Sequence, residues 1–200
     1  MRILTSAITL SASLALSACV NLGGGKPPQQ LLTLTSVASL APDAGQTVKG
    51  AAAITIAIPT VPQAIATTRV AVSDGPVAIA YVKDAIWVEP PARLFQRVVS
   101  ETVAARTGRV VLDPRVFTVE PGIIVQGQLK AFGIDARKQE AVIIYDAMIQ
   151  RERGKSVETR RFEVREPVSS ITPAPVGTAL NAATNEVAAR IADWIGKTSQ

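Results

Sequence analysis

The sequence predicts a single α+β domain: an antiparallel or mixed β-sheet with two helices packed on one face. Three observations carry this. Two stretches hold apolar residues at three- and four-residue spacing, the period of a helix with one buried face. Between them, three runs alternate apolar and polar residues and are joined by short polar turns, as in a meander. Most successive strands have no helix between them, which excludes a chain of parallel crossovers.

Met1-Arg2 is a short positive start, and Ile3 to Leu16 carries no charge. Leu16-Ser17-Ala18-Cys19 follows, an aliphatic residue, two small ones and a cysteine, which reads as a lipobox. The apolar run is shorter than the about 20 residues that span a bilayer. Residues 1–18 are therefore expected to be a signal cleaved between Ala18 and Cys19, with Cys19 carrying the lipid. A diacylglyceryl group on the thiol, usually with a third chain on the amine, would anchor the protein durably, since two chains hold where one does not. Residues 19–30 then form an acylated N-terminus and tether, flexible at Gly23-Gly24-Gly25 and stiffer at Pro27-Pro28. Residues 31–200 are the folded domain.

Leu31 to Val37 is expected to be a first strand, and Ser39 to Gly50 a loop. Ile54, Ile56 and Ile58 alternate within a second strand, Ala51 to Ile58, stopped by Pro59 and Pro62. Pro59, Val61, Pro62 and Ile65 read as an exposed, rigid apolar loop and a candidate interface. Arg69–Val72 and Val77–Val82 flank Ser73-Asp74-Gly75-Pro76 and predict a hairpin. Pro90-Pro91 opens a helix with Leu94, Phe95, Val98, Val99 and Val103 on one face, and Gly108 suits the left-handed position past its end. Ile123 to Ala131 is a half-buried strand with inward odd positions. A turn over Gly133 to Glu140, a return strand from Ala141 to Ile149, a turn at Arg153-Gly154-Lys155 and a charged strand from Val157 to Arg165 complete the meander. Leu180, Val187, Ile191, Trp194 and Ile195 form the stripe of a closing helix, with Asn181, Asn185, Arg190 and Asp193 placed off it.

Composition narrows the chemistry. Among 200 residues there is no His, and Cys19 is the sole Cys. The commonest general base and the commonest metal ligands are thus missing, and once Cys19 is acylated no disulfide can form. No Ser or Thr has a base at a recognisable spacing, and no Lys-Ser/Thr follows Gly23-Gly24-Gly25 at phosphate-loop spacing. The net charge of +5 is scattered and aromatics make up 4%, unlike a nucleic-acid surface with clustered cations and stacking rings. Glu152, Glu158, Glu163 and Glu166 interleave with Arg151, Arg153, Arg160, Arg161 and Arg165, which reads as a solvated face of cross-strand ion pairs. Neither an enzyme nor a bound cofactor or metal is expected.

Ile54-Thr55-Ile56-Ala57-Ile58-Pro59, the word Ala85-Ile86-Trp87-Val88-Glu89-Pro90-Pro91 running into the first helix, the meander, and Ile191-Ala192 in the last helix resemble the ABC-type transport auxiliary lipoproteins, the family of the paraquat-inducible protein C lipoprotein. The Trp-x-Glu-Pro word is the most diagnostic, and the likeness covers essentially the whole mature chain. Leu31-Leu32-Thr33-Leu34 departs from the family's Tyr-Tyr-Leu-type word. The resemblance implies an accessory subunit of an envelope lipid-transport system: a permease and an ATPase in the inner membrane, an MCE-domain (mammalian cell entry) protein across the periplasm, and the lipoprotein facing the periplasm from the outer membrane of a Gram-negative cell, with self-association possible. Trp87, Glu89, Pro90, Pro91 and Leu94 become a candidate docking signature. Trp87 suits either the core or a partner interface. Two other readings stand beside this one, a carrier that itself binds a lipid or hydrophobic ligand and a general outer-membrane integrity lipoprotein.

Overall fold

The computed structural model describes residues 30–41, 43, 45, 53–113, 122–151 and 155–197. The signal segment, Ala18, Cys19, most of the tether, Ala51-Ala52 and the Arg153-Gly154 turn lie outside the described residues. Those described form β1 (Ile54–Ile56), a 3-10 turn (Gln63–Ile65), β2 (Arg69–Ser73), β3 (Ile79–Ile86), α1 (Pro91–Thr107), β4 (Val111–Leu112), β5 (Ile123–Asp135), β6 (Glu140–Arg151), β7 (Ser156–Pro167) and α2 (Pro173–Lys197).

The sheet is mixed and has β5 at its centre. One edge of β5 pairs antiparallel with β6 along its whole length, from Ile123↔Arg151 to Asp135↔Glu140, and β6 pairs likewise with β7. The other edge of β5 is shared. β1 runs parallel to it at Ile54↔Ile123, and β2 runs parallel at Ala71↔Gly133. Between these the chain stays on β5, with Thr60 N–H donating to Gly127 O (3.0 Å) and Leu129 N–H to Thr60 O (2.9 Å). It then loops out through the 3-10 turn and rejoins at β2. β4, a two-residue strand with no counterpart in the sequence reading, pairs parallel with β1, and β3 closes the other side as the hairpin partner of β2.

A β-bulge sets which side chains of β5 point inward. Leu129 faces Tyr145 but Ala131 faces Ile144, so Lys130 is one extra residue on β5. An extra residue shifts the two-residue alternation by one. Ile123, Val125 and Leu129 are buried before it, and Phe132 and Ile134 after it. The sequence reading, which kept odd positions inward through Ala131 and began the turn at Gly133, is corrected on both points: the strand continues to Asp135 and the turn is confined to residues 136–139.

Both helices cover one face of this sheet. Pro91 occupies the first helical turn of α1, and Gly108 caps its end with φ 66°. Three aromatic pairs tie the layers: Phe95 of α1 to Tyr145 of β6 (5.0 Å between centroids), Trp194 of α2 to Phe162 of β7 (5.6 Å), and Trp87 to Phe132 of β5 (5.7 Å). Burial pushes the Tyr145 phenol well above its ordinary pKa. β1 is buried on both faces, Thr55 included, while Ile58 is exposed; the Ile54–Ile58 alternation therefore does not reflect a half-solvated strand.

Leu31 to Val37 is not a sheet strand. One parallel bridge, Leu32↔Trp87, joins it to the end of β3, and beyond this it forms a strap clasped by the helix pair. Asn181 Oδ1 accepts from Thr35 N–H (2.9 Å) and Asn185 Oδ1 from Val37 N–H (2.8 Å). Asn185 Nδ2 donates to Thr35 O (2.9 Å), and Ser36 Oγ meets Thr102 Oγ1 of α1 at 2.9 Å. Asn185 is 8% exposed and Leu34 is buried beneath the strap. The buried Asn185 amide thus supplies the strap backbone with partners that a neighbouring strand would otherwise provide. Asn185→Ala should therefore lower stability by about 1–3 kcal/mol. A thermal melt checks this, and cleavage within 33–38 by a low concentration of protease should speed up in parallel. An unchanged melting temperature would mean that the clasp is dispensable.

Candidate functional site

The residues singled out in the sequence fall into two places. Trp87 stands where β3 ends: its N–H donates to Thr68 O (2.7 Å), its ring packs on Phe132, and only 1% of it is exposed. Its indole Nε1 is buried with no hydrogen-bond partner. Pro91 and Leu94 are buried too, Pro90 and Glu89 are half-buried, and Val88 is exposed. The signature is thus mainly a packing device that turns the chain from β3 into α1. Only Val88, Glu89 and Pro90 reach solvent.

Glu89 does so beside α1. Arg97 Nη1 donates to Glu89 Oε1 (2.6 Å) and Nη2 to Thr33 Oγ1 of the strap (3.3 Å). Gln96 Nε2 donates to Ile56 O (3.1 Å), fixing α1 to the end of β1. Glu89, Arg93, Gln96 and Arg97 line one wall of an open groove of about 250 Å³, with Ile58 and Val111 on the other. Arg97 and Glu89 are both partly exposed, so the pair adds little stability and leaves its charges available to a partner.

The Pro59–Ile65 loop is largely turned inward, correcting its reading as exposed. Pro59 is buried and Ile65, in the 3-10 turn, joins the core at 5% exposure; Val61 is half-buried and Pro62 is exposed. The cause is the return to β2, which draws the loop across the sheet. Pro62 and Ile65 border a second groove, of about 340 Å³, over Ala71, Phe132 and Val142.

The charged strand β7 splits between two faces. Glu158 lies on the helix side, where it accepts from Trp194 Nε1 (2.5 Å) and, partly exposed, pairs with Arg151 of β6 (3.7 Å). On the opposite, open face Arg161 grips Asp146 of β6 with both ends of its fork, Nε to Oδ1 at 2.6 Å and Nη2 to Oδ2 at 2.7 Å. Arg165 reaches Glu163 and Glu140. Among the described residues no three of His, Cys, Asp and Glu gather as a metal would need. The surfaces offer charged and apolar contacts for recognition.

A family model described as ABC-type transport auxiliary lipoprotein component matches residues 32–192. The chain belongs to this family. Membership makes it an auxiliary lipoprotein associated with an ABC-type transport system. No helix among the described residues is long and apolar enough to cross a membrane. The fold is similar to the crystal structure of protein XCC0632 from Xanthomonas campestris, a DUF330 protein, at TM-score 0.68 and 20% identity over 86% of this chain and 97% of that one. It is also similar to an uncharacterized protein at TM-score 0.65 and 12% identity over 83% and 99%. No curated protein matches the chain in sequence.

Two outcomes follow for these residues. Trp87→Ala opens a cavity in the core and should cost roughly 3–5 kcal/mol, whereas Trp87→Phe removes an unpaired buried donor with part of the ring and should cost less than half as much; equal losses in chemical denaturation would contradict the packing role. At the open face, Arg161 holds the Asp146 carboxyl below the usual carboxylate range, chiefly through its hydrogen bond. A depressed folded pKa contributes stability above the unfolded value of about 3.9, and that stability is lost as pH falls through the lower folded value. The Asp146 carboxyl, followed by NMR, should titrate lower than in Arg161→Gln, and the stabilities of the two proteins should converge in acid.

Proposed function

We propose that this chain is a non-enzymatic adaptor, held to the periplasmic side of the outer membrane by lipid on Cys19. In this reading it docks on an MCE-domain protein that works with an inner-membrane permease and ATPase in moving lipid or another hydrophobic compound. The family match over residues 32–192 carries the reading. It is supported by the position of the single Cys after Leu16-Ser17-Ala18 and by the strap, which links a tether to the body through both helices. Among the described residues one continuous cluster of buried side chains forms the interior, which favours an adaptor over a carrier that encloses its ligand. The docking face is assigned to the groove beside Glu89 and Arg97, where the exposed part of the signature lies.

The test has two parts. Cys19→Ser should release the protein from the membrane fraction, and equal retention of this variant would overturn the anchor. Pull-down from solubilised envelopes should recover the MCE protein, and Arg97→Glu should recover less. Wild-type capture without any MCE partner would overturn the adaptor reading.

A further inference from the structure

The β2–β3 hairpin ends in a run of apolar residues that the fold leaves bare. Pro76, Val77, Ala78, Ile79 and Ala80 are consecutive and all exposed. Val77 is 94% exposed and Ile79 53%. Asp74 N–H donates to Ala78 O (3.0 Å), and Gly75 takes φ 88°, so the tip is a shaped turn. Val37 is nearly as bare but stands between the half-buried Ser36 and Ala38. Scattered single apolar residues are normal on a surface, whereas a contiguous exposed run marks a contact or a liability.

The course of the chain says which contact. At Leu32 the strap runs parallel to β3 along its free edge, with Leu32 N–H donating to Ile86 O (2.8 Å) and Val88 N–H to Leu32 O (2.9 Å). Gln30 and Leu31 therefore lie toward the β3 start, where the tip lies. Eleven chain steps separate Cys19 from Gln30 and span at most about 36–40 Å. β3, eight residues from Ile79 to Ile86, is about 26 Å long. Cys19 can thus reach the level of the tip and somewhat past it. Neighbouring charges are mixed: Arg137 pairs with Asp74 (3.1 Å), Lys138 is exposed, and Asp135 and Glu140 face Arg165. Attraction to an anionic surface is therefore not the driving force; burial of apolar area is.

We propose that Pro76–Ala80 is a second membrane contact, which buries its apolar tip in the headgroup–acyl boundary of the leaflet that holds the Cys19 lipid. This rests on the anchored reading above and adds orientation to it. With the tip on the membrane, the Trp87–Pro91 junction at the opposite end of β3 faces away from the bilayer, toward a partner. Insertion to a depth of about 5–10 Å is what an interfacial element reaches.

The acylated chain has no free thiol, so Val77→Cys carries a single environment-sensitive nitrobenzoxadiazole label. Val157→Cys, exposed at the far end of the meander, serves as the comparison. Each labelled mature lipoprotein is reconstituted in phosphatidylcholine vesicles containing a lipid quenched at the headgroup level by a nitroxide. The expected result is flotation with the vesicles, a blue shift at position 77, and loss of most of its emission to the nitroxide lipid, with the label at 157 unaffected. Flotation with a water-like label at 77 overturns the tip contact and leaves the anchor standing. A label shielded from water but not quenched by lipid overturns it in favour of a protein covering the tip, a second copy if the shielding grows with concentration. Failure to float overturns the anchor and the tip together.

Discussion

The pairing of β5 is the constraint on which the rest of the structure depends. Every other strand joins β5 directly or through one neighbour, and β5 presents apolar side chains to the helices along its whole length because Lys130 is inserted as an extra residue. Without that phase shift, Phe132 and Ile134 would point to the open face and Trp87 would lose the ring it packs on. A one-residue slip is costly because the side-chain period of a strand is two. The bulge thus links the N-terminal half of the sheet, which ends in the Trp87 junction, to the C-terminal meander, which carries α2.

The strap solves a different problem. A lipid-anchored domain must join a tether to a compact body, and a joint held only by exposed contacts would fray. Here Leu34 of the joint is buried, the backbone of Thr35 and Val37 is hydrogen-bonded by Asn181 and Asn185 of α2, and Ser36 meets Thr102 of α1. The pull of an anchor would be received by α1 and α2 together, the elements that also cover the core.

Both helices, the hairpin and the meander were legible in the sequence because each depends on local periodicity and turn chemistry. Gly108 and Pro91 sit where capping rules place them. What was not legible depends on contacts distant in sequence. Asn185 lies off the apolar stripe of α2, and nothing nearby shows that the strap, about 150 residues earlier, will bury it. The parallel pairing of β1 and β2 with β5 leaves no mark within either short strand. The bulge left a signal that could have been used: Leu129 and Phe132 are three apart, which a regular strand cannot put on one face. Of the candidate site, the Trp-x-Glu-Pro word was found by likeness, yet most of it proved to be packing. Its surface consequence, the Glu89–Arg97 pair beside the groove, depends on where α1 lies against β1.

These features divide the molecule along β3. At the strand's end, Trp87 is held by Thr68, Phe132 and the strap, and the chain passes Glu89 into a helix whose outward face carries Arg93 and Arg97. At its start, the five consecutive apolar residues Pro76–Ala80 are exposed. A soluble domain gains nothing by keeping such residues in water, since burying even Val77 and Ile79 would be favourable by about 1.5–3 kcal/mol each. The two ends differ in chemistry: one presents a contiguous exposed apolar run among paired charges, the other the Glu89–Arg97 pair beside a groove. Gln30 and Leu31 lie toward the apolar end. An adaptor has to hold its partner-facing surface in a fixed relation to the membrane, and a lipid on a flexible tether fixes distance but not direction. A contact at the hairpin tip would supply the missing direction, which is how the bare apolar run and the strap would act as one device.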